Sequence, residues 1–249
     1  MYNKIFNLIF FLISSSLFAN NNYEFTPFRE SMIIIPSLTI SAYSLYKANN
    51  LEVTNIDDLS TQDINRFDRS AVGNYSERAS NISDYLLYAC IISPFALNLN
   101  HQIPTNANII IGESYLVTSS LVYFSKTTFQ RKRPYVYNNN IPTQARQTKD
   151  SQYSFFSGHT ALAFNGALLT AKIYDDFHPN KDNIYIYPAA LSVASAVGVL
   201  RYKAGKHFPS DIITGAIVGT VSAILITEVH KKGNSETETN PTLNFSFHF

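Results

Sequence analysis

Residues 209–229 read PSDIITGAIVGTVSAILITEV, and this stretch decides the fold class. From Ile212 to Val229 it is apolar apart from scattered Thr, Ser and Gly and the late Glu228. The run is far longer than the ~4–8 residues of a buried strand. Pro209-Ser210-Asp211 in front of it supplies a helix start, with Pro in the first turn and an acidic residue near the N-terminal end. Five further segments have the same character: Ser31–Tyr46, Tyr85–Leu99 after Ser83-Asp84, Ala107–Ser125, Thr160–Tyr174 and Ile184–Leu200. No segment repeats another at a fixed period. The pattern predicts an all-α fold, a bundle of about six helices joined by polar connectors.

Bulk properties narrow the function classes. The chain has 249 residues, enough for one substantial domain. It carries 19 basic and 18 acidic residues, a net charge of +1, so overall charge points to no nucleic-acid partner. Any selectivity for anions has to come from local clusters. Cys90 is the single cysteine, which rules out an internal disulfide or a cysteine-based metal cluster.

At the N-terminus Lys4 precedes an apolar run, Ile5–Ile13, then Ser14–Ser16 and Leu17-Phe18-Ala19. This is the layout of a secretory signal peptide over 1–19, too short for a full span of ~20 residues. The expected organisation is a signal peptide (1–19), a helical bundle (20–232) and a polar tail (233–249) that ends in alternating Phe245, Phe247 and Phe249. Export to the cell envelope follows. Charged residues are only 15% of the chain, yet mean hydropathy is −0.05. The scarcity of charge within the segments favours an integral membrane bundle with a periplasm-facing site. Short runs holding Ser, Thr, Asn and Glu113 keep a soluble periplasmic bundle open.

Three clusters carry chemistry. Lys126 and Arg133 lie seven residues apart before Pro134, a spacing that puts two cations on one face if the helix continues to Pro134. Ser157-Gly158-His159 opens a predicted helix, where free amides favour an anion and Gly158 permits close approach to the backbone. Arg201, His207 and Asp211 bracket a short loop, with the carboxylate four residues beyond a histidine that it can orient. Taken singly, these read as a basic helix end, an N-cap and a capped surface loop. Together, in this order and each at a helix boundary, they supply cations, amide donors, a proton donor and an oriented imidazole. Phosphoryl transfer requires little else.

The set Lys-x6-Arg-Pro, Ser-Gly-His and Arg-x5-His-x3-Asp resembles the type 2 phosphatidic acid phosphatase / vanadium haloperoxidase superfamily. The motifs span Lys126–Asp211. Phe156 stands where that family usually has Pro, and Leu200 where Ser is usual. The resemblance implies that His207 attacks phosphorus to give a phosphohistidine, Asp211 orients it, and His159 protonates the leaving alkoxide. It implies that Lys126, Arg133, Arg201, Ser157 and Gly158 hold the phosphoryl oxygens. It implies no metal and no cofactor for the phosphatases, and vanadate for the haloperoxidases.

The expected activity is therefore phosphomonoester hydrolysis, with the site at helix ends on one side of the bundle. The partner is a phosphorylated lipid or lipid pyrophosphate, or a small phosphomonoester if the chain is a soluble non-specific acid phosphatase. A vanadate-dependent haloperoxidase and a non-catalytic envelope protein are the remaining alternatives. Outside the motifs, His101, His178, His230 and His248 are expected at the surface, and Asp175-Asp176 at a solvated helix end.

Overall fold

The computed structural model describes residues 22–53, 56, 59–100, 103–104, 106–179, 183 and 185–232. The expected signal peptide, the 233–249 tail, His101 and His248 lie outside these residues. Among the described residues the fold is an all-α bundle of six long helices and one single-turn helix. They are α1 (Pro27–Asn49), α2 (Glu77–Ala96), α3 (Ala107–Phe129), α4 (Thr143–Arg146, the single turn), α5 (Gly158–Phe177), α6 (Ile186–Lys203) and α7 (Pro209–His230). An antiparallel bridge between Tyr23 and Lys231 ties the N-terminal strap to the end of α7.

Helix α5 is the hub, packing against α2, α3, α6 and α7, while α1 lies against α3. Its sequence suits that place: Ala161, Ala163, Gly166, Ala167 and Ala171 are small and buried, so neighbouring backbones come close. The approach is closest along α7. A Cβ added at Gly215 would lie 2.5 Å from the Ser157 carbonyl oxygen, and one at Gly219 would overlap the Ala161 carbonyl. Polar side chains fill the interior with partners of their own. Asn165, fully buried, donates to Ser114 Oγ at 2.8 Å and Thr118 Oγ1 at 2.9 Å. Such satisfied networks fix how helices sit without leaving a desolvated group.

The outer faces are the reverse. Ile213, Ile217, Val221, Leu225 and Val229 recur every four residues on α7, and all are exposed. Tyr85, Tyr88, Ile92 and Phe95 form a similar exposed ridge on α2. Among the described residues two helical segments, Glu77–Leu99 and Pro209–His230, are long and apolar enough to cross a membrane.

Two boundaries and the burial of one histidine differ from expectation. Helix α2 begins at Glu77, because Ser76 caps it by accepting from the Ala79 amide at 3.2 Å. Ser83 and Asp84 are thus interior positions and not caps. Helix α3 ends at Phe129, where Gln130 takes a left-handed conformation with φ 46°. Arg133 is consequently extended, and Pro134 opens a 3-10 turn and does not stop a helix. Lys126 and Arg133 do not share a helical face. His230, expected at the surface, is fully buried.

Candidate active site

The polar segment after α3 is folded, not loose. It holds two 3-10 turns and α4, and it buries Tyr135, Val136, Ile141, Ser151, Gln152 and Ser154. Its path carries Arg133, Asp150, Tyr153 and Ser154 under the first turns of α5 and α7. There the three sequence clusters meet.

His207 lies in the α6–α7 loop, 1% exposed, and its Nδ1–H donates to the Ser154 carbonyl at 2.7 Å. That bond fixes the tautomer and leaves Nε2 bearing the lone pair. The Asp211 carboxylate is 3.9 Å from Nδ1, beyond hydrogen-bond reach. It acts one step away: Oδ2 accepts from Ser154 Oγ at 2.5 Å and from the Phe208 amide at 2.9 Å. The expected direct orientation of His207 by Asp211 is thus relayed by Ser154. Asp211 Oδ1 accepts from Arg131 at 2.6 Å, and Arg131 also reaches Asp68 at 2.7 Å while its guanidinium lies 4.2 Å from the Phe208 ring centre. Asp68, fully buried, completes the arrangement by accepting from the Ser210 amide and hydroxyl.

The cations converge from three elements. Lys126, in the last turn of α3, donates to the Tyr153 carbonyl at 3.1 Å and has no carboxylate partner among the described residues. Arg133 pairs with Asp150 at 2.8 Å, and its Nε is buried without a partner. Arg201, in the last turn of α6, donates to Ser80 and Ser83 at 3.2 Å and to Asp84 at 3.4 Å. Its Nε is also buried and unpartnered. Two unspent guanidinium donors in one place are costly unless an acceptor arrives.

Crowding shows in the proton affinities. Burial, then the Arg133 charge, pulls Lys126 down to about 7. Burial and Arg133 bring Arg201 down to about 10. His159, on the first turn of α5, falls to about 4 through burial and Arg201, although its Nε2 lies 2.8 Å from Asp84 Oδ1. His207 is held well below the usual histidine range by burial and by Arg133, Lys126, Arg201 and His159 together. Every group opposes further positive charge, the electrostatic mark of a site suited to an anion.

Ser157 caps α5: its hydroxyl lies 2.9 Å from Thr160 Oγ1, and its amide donates to the Asp211 carbonyl at 3.0 Å. A side chain at Gly158 would meet Val122 Cγ1 at 2.8 Å, so α3 packing also requires that glycine. Phe156, the departure before Ser157, is buried in a cluster with Val122 and Ala161. All eight residues anticipated from sequence are brought together here. Those it missed are the partners: Ser80, Ser83 and Asp84 on α2, Ser154 and Asp150 on the connector, and the Asp68–Arg131 pair. The only signals were the Ser83-Asp84 pair, read as a cap, and the charged run Arg66–Arg69.

A family model described as the PAP2 superfamily matches residues 107–235, which includes every one of the three clusters and slightly more than half of the chain. The chain belongs to the PAP2 superfamily. No curated protein and no solved structure matches it. PAP2 membership points to phosphatase-type chemistry on phosphate esters. The PAP2 match begins at the first residue of α3 and runs just past the end of α7. Helices α1 and α2 lie outside it, though α2 delivers Asp84 to His159 and Arg201.

Proposed function

We propose that this chain hydrolyses phosphomonoesters of lipids, or lipid pyrophosphates, through a phosphohistidine on His207 and without a metal. The observation that carries the reading is the partnerless Nε atoms of Arg133 and Arg201, buried beside a histidine whose Nδ1–H is anchored. The equatorial oxygens of the transferring phosphoryl group would accept from both guanidinium groups and from Lys126, while the first-turn amides of α5 add oriented dipoles.

His207 Nε2 attacks phosphorus as the P–O bond to the leaving group breaks. His159 donates the proton to the leaving alkoxide. With Nε2 held by Asp84, Nδ1 is the atom that delivers it. Its low affinity for a proton rises when a bound phosphate dianion cancels the surrounding cations. In the second half, His159 takes a proton from water, water attacks phosphorus, the N–P bond breaks and inorganic phosphate leaves.

A lipid substrate is favoured by surroundings. An apolar cleft of about 220 Å³ lies between α6 and α7, lined by Gly198, Val199, Tyr202, Pro209, Ile212 and Ile213. Its Pro209 is two residues from His207. The exposed ridges of α2 and α7 suit association with the cell-envelope membrane.

The decisive experiment measures phosphate release from a panel of phosphatidate, polyprenyl pyrophosphate and water-soluble phosphomonoesters. Preferred turnover of the lipids supports the reading. Turnover of the soluble esters alone replaces it with a non-specific acid phosphatase. Halide oxidation with added vanadate, and no phosphate release, replaces it with a haloperoxidase. Inactivity across the whole panel leaves a non-catalytic envelope protein.

A further inference from the structure

A second group of ionisable side chains lies at the other end of the bundle, where α1 and α3 begin and α7 ends. Lys126 is roughly 20 Å away along α3, taking 1.5 Å per residue from Glu113. Glu30 from α1, Glu113 from α3 and His230 from α7 place one ligand atom each within 4.8 Å of one another. His230 is fully buried, and its Nδ1–H donates to the Ile226 carbonyl at 2.7 Å. Its Nε2 is 2.9 Å from Glu30 Oε2 and 3.2 Å from Glu113 Oε2. Glu113 is 4% exposed, and beyond the His230 Nε2 contact neither of its oxygens has a hydrogen-bond partner among the described residues.

We propose that Glu30, Glu113 and His230 form a binding site for a divalent first-row transition ion, with zinc the best fit. Three observations converge on a cation. Glu113 is a buried carboxylate set beside a second carboxylate, Glu30, with only the His230 imidazole between them, which is costly unless a positive charge sits among the three. A ligating histidine commonly donates its far ring N–H to a carbonyl, as His230 does to Ile226, leaving the other nitrogen's lone pair for the metal. The two His230–glutamate spacings also fit: bonds of ~2.0–2.1 Å place adjacent ligands about 2.9–3.4 Å apart, depending on geometry. One imidazole and two carboxylates select zinc, iron or manganese over calcium and magnesium, which prefer oxygen alone.

The support around the ligands is in place. Glu30 Oε1 accepts from the Thr26 amide at 3.1 Å and lies 3.4 Å from Arg29 Nη2, leaving Oε2 to face inward. The Phe25 ring covers His230, with centroids 5.3 Å apart. The ion would bind α1 to α3 and α7 and lock the strap that Tyr23 makes with Lys231. Its role is architectural, remote from the phosphate chemistry. Sequence spacing gave no hint of it, because the three ligands come from distant parts of the chain.

The test uses the full chain without an affinity tag, stripped by chelator dialysis and titrated with zinc chloride alone. The expected result is one zinc bound per chain by elemental analysis and calorimetry, with a rise in Tm that chelator reverses. Glu113→Gln and His230→Gln should each weaken zinc binding by about 100-fold or more, since loss of even an outer partner costs 10–100-fold. Glu30→Gln, at a more exposed position, gives the same readout should either buried variant fail to fold. Wild-type protein that binds no zinc, or variants that bind it as tightly as wild type, would overturn the site. The group would then be an ion pair between a protonated His230 and its two glutamates.

Discussion

The two ends of this bundle bury charge of opposite sign. At one end Lys126, Arg133, Arg201 and His207 converge, and the buried carboxylates near them, Asp68 and Asp211, are already occupied by Arg131. At the other end Glu30 and Glu113 converge on His230. In both places polar atoms are buried without partners: guanidinium Nε at the first, carboxylate oxygens at the second. A folded chain rarely keeps such groups for stability, because desolvation outweighs what they return. The contrast teaches that unsatisfied donors mark a place for an anion, and unsatisfied acceptors a place for a cation.

The largest expected effect separates the ends outright. His207→Ala should reduce phosphate release by about 10⁴-fold or more, the scale on which removal of a nucleophile is felt. Its circular dichroism should match wild type. Undiminished turnover in that variant would refute the phosphohistidine route. Next come Arg133→Ala and Arg201→Ala, each expected to lower kcat by roughly 10²–10³-fold through loss of a donor to the developing charge.

Arg131→Ala probes a different property of the same end. It strands Asp68 and Asp211, both fully buried, and should cost roughly 3–5 kcal/mol of stability, read as a lower denaturant midpoint.

Lys126 gives a smaller and more diagnostic signal. Its proton affinity is about 7 in the folded chain against 10.5 for a free lysine. The unfolded chain therefore holds the extra proton between about pH 7 and 10.5, and the folded protein should gain stability as pH rises through that window. Below pH 7 both states hold the proton and that gain is absent. Lys126→Met should flatten this slope in thermal melts and raise Tm at neutral pH while weakening phosphate binding. A slope that persists in the variant would assign it to other groups.

The smallest effect is the sharpest control. Glu113→Gln should leave the rate of phosphate release per folded molecule unchanged. A marked fall would mean that the two ends are coupled.

How much of this was legible in the sequence depended on whether the information was local. The helices were visible because apolar runs such as Ile212–Val229 exceed any strand, and all eight candidate site residues stood out because their motifs cluster within 126–211. What stayed hidden was long-range. Asp84 was read as a cap, since nothing local says that Arg201, 117 residues later, needs its carboxylate. Ser154 gave no signal because its service to His207 is through a backbone carbonyl, which every residue has. The end of α3 was misplaced because the left-handed turn at Gln130 uses a residue with no marked preference for it. His230 was assigned to the surface because its partners lie on helices that begin far upstream.

The close contact between α5 and α7 has a consequence for inheritance of damage. The Ser157 carbonyl, which a Cβ on Gly215 would crowd, belongs to the residue whose amide grips the Asp211 carbonyl. Gly215 is an uncharged residue nearly two turns into an apolar helix, and it carries no group assigned to the chemistry. Yet a single methyl there would wedge apart the two halves of the proposed phosphate cradle. A lesion at Gly215 would therefore look, to any assay of turnover, like a lesion of the chemistry itself.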